Sequence, residues 1–105
     1  MDMTPTRATT HIQLRHPDRT KKMPRMQKND YAIAHRTALT VVPANAPGIT
    51  LQAYLAAMRT RLPKAKGWDS SKSANWWAMA IKLDLEARGE LTRINAKPPQ
   101  RIIRR

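Results

Sequence analysis

The stretch that decides the fold is "AIKLDLEARGELTRI", Ala80 to Ile94. Its first half keeps helical time, with Leu83 and Leu85 in an apolar run that reaches Ala87-Arg88. Gly89 then stands where a helix wants a left-handed C-cap residue. Glu90-Leu91-Thr92-Arg93-Ile94 no longer follows a helical period, and Glu90 to Asn95 reads as a strand. A helix therefore ends at a glycine and hands the chain directly to a β-strand.

Upstream of this corner, Asp69, Ser70 or Ser71 can cap the helix, which runs to Arg88. Downstream, Gln100 to Arg104 is a second short strand. Ala96-Lys97-Pro98-Pro99 joins the two strands, and its prolines forbid helix there. Lys64-Ala65-Lys66-Gly67-Trp68 is a basic connector that leads in from an earlier helix. That earlier helix carries the clearest pattern in the chain. Thr50 is its N-cap, Ile49 and Tyr54 form a hydrophobic staple, and Pro63 ends it. Leu51, Tyr54, Leu55, Met58 and Leu62 make one buried stripe. Before it, Asn29-Asp30 offers a cap for a first helix with Tyr31, Ala34, Ala38, Val41 and Val42 near one face, closed by Pro43. The segment from Pro43 to Gly48 is a loop.

Nearer the N-terminus, His11-Ile12-Gln13-Leu14-Arg15 alternates as a half-buried strand does. After the turn residues Pro17-Asp18-Arg19, Thr20 to Met26 can return as a second strand, held to an edge by Pro24. Residues 1–10 are expected to be a flexible tail, and 11–105 one domain. The expected fold is α+β, a winged helix-turn-helix: three helices, a C-terminal β-hairpin wing and an N-terminal hairpin. Nothing repeats at a fixed period.

Leu85-Glu86-Ala87-Arg88-Gly89, followed by Leu91 and Arg93, resembles the passage from recognition helix to wing in multiple-antibiotic-resistance-type bacterial regulators. A wider resemblance covers roughly Ile12 to Arg105. Trp76-Trp77, Lys82 to Gly89, Leu91 to Ile94, and Pro99-Gln100-Arg101 to Arg105 look like a bacterial family of short proteins of unknown function. There a "WW" or "WY" pair precedes "KLDLEARG" and a terminal "PQR". That resemblance implies a fold and no activity. The chain departs from such corners in carrying Glu90 where an apolar residue is common.

Charge bounds the function. Twenty Lys and Arg against seven Asp and Glu give a formal charge of +13 in 105 residues, and a pI near 11.4. A folded domain of this charge repels itself, and a polyanionic partner relieves the repulsion. Cysteine is absent, which excludes disulfides, thiolate metal sites and a cysteine nucleophile. No apolar run approaches a membrane span, and the N-terminal residues lack the apolar core of a secretory signal. A cytoplasmic protein is expected, nucleoid-associated if it binds DNA.

The histidines (His11, His16, His35) and the carboxylates are too few and too scattered for a catalytic set. Asp84 and Glu86, two apart on a helix, do not face one another. Asp84 is expected to pair with a neighbouring Arg or Lys. The reading is therefore non-enzymatic, with no cofactor and no metal site.

Projected at 100° per residue, the third helix carries one apolar stripe of Trp76, Ala80, Leu83 and Ala87, and a second of Trp77, Ile81 and Leu85. Lys72, Asn75, Lys82 and Glu86 make up a narrow polar remainder. Such a helix belongs to a core more than to a groove of DNA. Trp76 and Trp77 are read first as packing residues, with base stacking or a partner contact as the alternatives. Only Lys72 and Asn75, with Ser71 or Ser73, lie early enough and outward enough to read base edges. Phosphate contacts are expected from the connector and the wing: Lys64, Lys66, Arg93, Lys97, Arg101, Arg104 and Arg105. Arg15, Arg19, Lys21, Lys22, Arg25 and Lys28 form a second basic set around the first hairpin. They extend that track or solvate a strand edge.

Duplex DNA is the expected partner. The alternatives are a protein-interaction or homodimerisation module on the same scaffold, and a basic RNA- or ribosome-associated protein.

Overall fold

A computed structural model describes residues 10–69, 73–94 and 97–105. The expected tail therefore lies outside the described residues, except for Thr10. Among the described residues the elements follow in order: β1 (His11–Gln13), β2 (Arg25–Gln27), α1 (Lys28–Val41), β3 (Ile49–Thr50), α2 (Leu51–Arg61), a 3₁₀ turn (Leu62–Lys64), α3 (Ala74–Ala87), β4 (Leu91–Arg93) and β5 (Arg101–Arg104). The architecture is α+β of winged-helix type, three helices between an N-terminal hairpin and a C-terminal hairpin wing.

The wing is broader than a hairpin. β5 is the middle of a three-stranded antiparallel sheet, with β4 on one side and β3 on the other. Ile49 faces Ile102 and Thr50 faces Arg101, while Leu91 faces Arg104. Thr50 serves twice, as the end of β3 and as the N-cap of α2, where its hydroxyl accepts from the Ala53 N–H at 3.1 Å. One residue thus joins sheet to helix. Gly48 makes the close approach possible: its φ is +75°, and a Cβ there would lie 2.5 Å from the Ile102 carbonyl oxygen.

The helix-to-wing corner is a Schellman closure. Gly89 has φ +81°, its N–H bonds to the Glu86 carbonyl at 3.1 Å, and the Glu90 N–H bonds to that of Leu85 at 2.9 Å. These bonds satisfy carbonyls that the end of α3 would otherwise leave bare.

Tyr54, Met58 and Leu62 are fully buried, as the stripe on α2 predicts, and they meet Ala78, Ile81 and Leu85 of α3 in one core. The Tyr54 hydroxyl donates to the Ala78 carbonyl at 2.8 Å, so the ring is buried with its polar end satisfied. Burial raises the Tyr54 pKa far above the ordinary tyrosine value, with the Glu86 charge adding to the rise. Trp68 anchors the connector and is 7% exposed.

Several boundaries differ from expectation. β2 begins only at Arg25, because Pro24 has no N–H to give a ladder; its carbonyl still accepts from Leu14 N–H. β2 runs straight into α1, so the helix starts at Lys28 with Gln27 before it, and Asn29-Asp30 is not the cap. Asp30 lies in the first turn instead, where a carboxylate is favoured by the helix dipole. The buried face of α1 includes Ile33, with Tyr31 and Val41 only half-buried. α3 is capped by Ser73, whose hydroxyl accepts from Trp76 N–H at 3.2 Å, and not by Asp69. Ser70 and Ser71 lie outside the described residues, as does Asn95 beyond β4.

Candidate functional site

Among the described residues the most constrained polar group is Asp84, on the buried side of α3 and fully covered. Its Oδ1 accepts from the Arg15 backbone N–H at 2.8 Å, and its Oδ2 accepts from the Tyr31 hydroxyl at 2.8 Å. Arg88, one turn on, donates through Nε to both oxygens at 3.0 and 2.9 Å. Arg88 also reaches the Gln13 carbonyl through Nη2 at 3.2 Å and lies 5.6 Å from the centre of the Tyr31 ring. The expected Asp84 partner is therefore an arginine at i+4, but the carboxylate also ties α3 to α1 and to the residues after β1. Burial, the Asp84 hydrogen bond and its charge raise the Tyr31 pKa strongly. Burial works against the Arg88 cation, yet the Asp84 hydrogen bond and charge outweigh it and raise its pKa. The hub is structural: every acceptor direction is occupied by a protein donor.

A second ion cluster corrects the projection of α3. Lys82 and Glu86, expected on a solvent-facing polar strip, are buried; their side chains are 6% and 7% exposed. Lys82 Nζ lies 3.1 Å from Glu86 Oε1, and Arg93 Nε from β4 lies 3.2 Å from Glu86 Oε2. Neither contact has hydrogen-bond geometry, so the attraction is coulombic. One glutamate lies between two cations, one from α3 and one from β4, and so ties the wing to the helix. Arg93 is thus partly committed within the fold, with Nη1 also donating to Gln100 at 3.2 Å.

The tryptophans divide. Trp77 is half-buried against the core, whereas Trp76 is 52% exposed, its ring edge-on to Trp77 at 4.8 Å. Met79 and Leu83, three and seven residues on from Trp76, share its face and are half-exposed. The outward surface of α3 is thus apolar after its first turn. Asn75 is exposed in that turn, and its Oδ1 accepts from Arg59 Nη1 at 3.0 Å. Lys72 lies outside the described residues.

The remaining cations named from the sequence are distributed as follows. Lys64 and Lys66 are exposed in the connector, and Lys64 borders a depression with Arg36 and Arg61, two arginines the sequence reading passed over. Their placement on separate helices gave no signal of proximity. In the wing, Lys97, Arg104 and Arg105 are exposed and Arg101 is half-buried. Arg104 Nε donates to the Val42 carbonyl at 2.7 Å, and Arg105 N–H to the Glu90 carbonyl at 2.9 Å. Glu90 in turn bonds His35 Nε2 at 2.8 Å, and His35 stacks on Tyr31. The glutamate at this corner is accounted for by that contact with α1.

Among the described residues no group of three His, Cys, Asp or Glu could hold a metal ion. No described helix is long and apolar enough to cross a membrane. Helix order, the Schellman corner and the three-stranded wing together define a winged-helix-type scaffold. From residue 11 to residue 102 the chain matches the model of a family of unknown function (DUF6958), and it belongs to that family. No curated protein and no solved structure matches it.

Proposed function

We propose that the protein binds nucleic acid, duplex DNA before RNA, through phosphate contacts and without catalysis. One observation carries the reading: the side chains of Lys97, Arg101, Arg104 and Arg105 meet no carboxylate among the described residues, although those of Arg88 and Arg93 do. Uncompensated cations on the terminal hairpin of a +13 domain are suited to the negative potential of a nucleic-acid backbone. Lys64 and Lys66 extend the same set. Lys72 remains a candidate on its sequence position alone. Asn75 offers at most limited base readout, because Arg59 already engages its carbonyl oxygen. The apolar outer surface of α3 argues against a base-reading helix, so affinity with little sequence preference is the expected behaviour.

Fluorescence anisotropy with a labelled duplex tests this. The K97A/R101A/R105A variant is expected to bind at least tenfold more weakly than the parent, while structured RNA competes less well than duplex. Absent binding, or binding indifferent to these three residues, removes the proposal.

Trp76 carries a second reading. Its 52% exposure, beside half-exposed Met79 and Leu83, suits a protein partner, with a second copy of this chain the simplest one. Sedimentation equilibrium is expected to give a dimer that W76A returns to monomer. A parent protein that is monomeric at high concentration ends that reading.

A further inference from the structure

The loop between β1 and β2 encloses a concavity of about 520 Å³ that the wing does not touch. Arg15, Arg19, Lys21 and Lys22 line it together with His16. Among the described residues none of these four cations meets a carboxylate. The nearby Asp84 charge is already compensated by Arg88. Asp18, the one acid of the loop, turns its Oδ1 to the Thr20 N–H and hydroxyl at 3.0 and 2.7 Å. Those hydrogen bonds hold its carboxyl below the usual range.

The loop is also held in shape. Arg15 N–H is fixed by Asp84, and Lys21 N–H bonds to the Asp18 carbonyl at 3.0 Å. The Gln13 amide spans the loop to the Met23 carbonyl at 2.8 Å. His16 Nδ1 accepts from the Asp18 N–H at 2.9 Å, which fixes the ring against the loop. Pro17, Met23 and Ala87 supply apolar wall.

We propose that this concavity binds a small molecule bearing two or more phosphoryl groups on an organic body, of the nucleoside diphosphate class. Four like charges around one hollow repel one another, and a compact polyanion removes that repulsion. Two arginines can each take a phosphoryl group through paired N–H donors, with the lysines as point charges. The volume lies within the range of small-molecule sites, about 300–1,000 Å³, and leaves room for a ring against the apolar wall. The site is separate from the wing and stands or falls without it.

Calorimetric titration of the full chain with ADP, inorganic pyrophosphate and adenosine, at fixed ionic strength, tests the proposal. The expected result is saturable binding of ADP at one per chain, weaker binding of pyrophosphate, and none of adenosine. R19A/K22A is expected to weaken ADP at least tenfold, and K97A/R105A to leave it unchanged. Both pairs are exposed, and R19E provides a single-site check should the first pair fold poorly. Three results overturn the proposal: no saturable ADP binding, equal weakening by the wing pair, or no change in either R19A/K22A or R19E. Pyrophosphate binding as tightly as ADP overturns the nucleotide class. Displacement of ADP by duplex, with R19A/K22A also weakening duplex, makes the hairpin part of a backbone track and overturns it too. Loss of duplex binding alone in K97A/R105A bears only on the wing.

Discussion

Replacing Asp84 with Ala removes the acceptor shared by three parts of the chain. Asp84 is fully buried, and it takes the Arg15 N–H, the Tyr31 hydroxyl and the Arg88 Nε. Breaking a buried pair by removing one partner costs about 3–5 kcal/mol. The Arg88 side chain is 25% exposed, so part of its charge can recover water, and the lower half of that range, about 3–4 kcal/mol, is expected. Asp84→Asn keeps an acceptor for one donor and should fall between the parent and D84A. Tyr31→Phe alone removes one hydrogen bond to a charged group, about 1.5 kcal/mol. Because both changes delete the same bond, the double variant should be less destabilised than the sum by about 1 kcal/mol. Urea unfolding at neutral pH, followed by far-ultraviolet circular dichroism, measures the four variants against the parent. Against a typical domain stability of about 5–15 kcal/mol these are large effects. A D84A loss below about 1 kcal/mol, or strict additivity with Y31F, would refute the hub.

Two glycines with the same handed backbone should respond differently. Gly89→Ala has open space for its Cβ, so its cost is conformational only, about 1–2 kcal/mol. Gly48→Ala adds a clash at 2.5 Å with the Ile102 carbonyl and should cost more and loosen β3 from β5, which chemical denaturation and amide exchange would detect. Equal losses would contradict the close approach. Alkaline pH supplies another check. Tyr31 and Tyr54 have folded pKa values raised above 10.0, the ordinary value, so between that pH and the folded value the unfolded chain has lost protons that the folded chain keeps. Stability is full below pH 10 and declines above it, and tyrosinate absorbance should rise only together with unfolding. Tyrosinate that forms in the folded protein near pH 10 would show at least one ring to be solvated.

Local signals carried much of the fold. The Tyr54, Met58, Leu62 stripe, the Thr50 cap and the Gly89 stop are set by neighbours within one or two helical turns, so one sequence suffices to see them. β3 escaped because two residues have no period; only the partner Ile102, far along the chain, makes them a strand. The polar strip on α3 failed for a related reason. A helical projection shows which residues share a face and not what covers it, and Lys82 and Glu86 are covered where Arg93 comes in from the wing. Trp76 and Trp77 differ by only one position, and tertiary packing decided which of them is exposed. In the Asp84 hub, a basic partner close in sequence was legible, and it is Arg88 at i+4, while Arg15 and Tyr31 are 69 and 53 residues away. The basic loop was visible as charge, but its concavity depends on hydrogen bonds that composition does not encode.

The salt dependence of duplex affinity tests most directly whether uncompensated wing cations bind a nucleic-acid backbone. Each phosphate neutralised contributes about −0.9 to the slope of log K against log salt. The parent should show a steep negative slope, and K97A/R101A/R105A a slope shallower by about 2.7. Affinity that does not change with salt, or parallel slopes for parent and variant, would contradict the account.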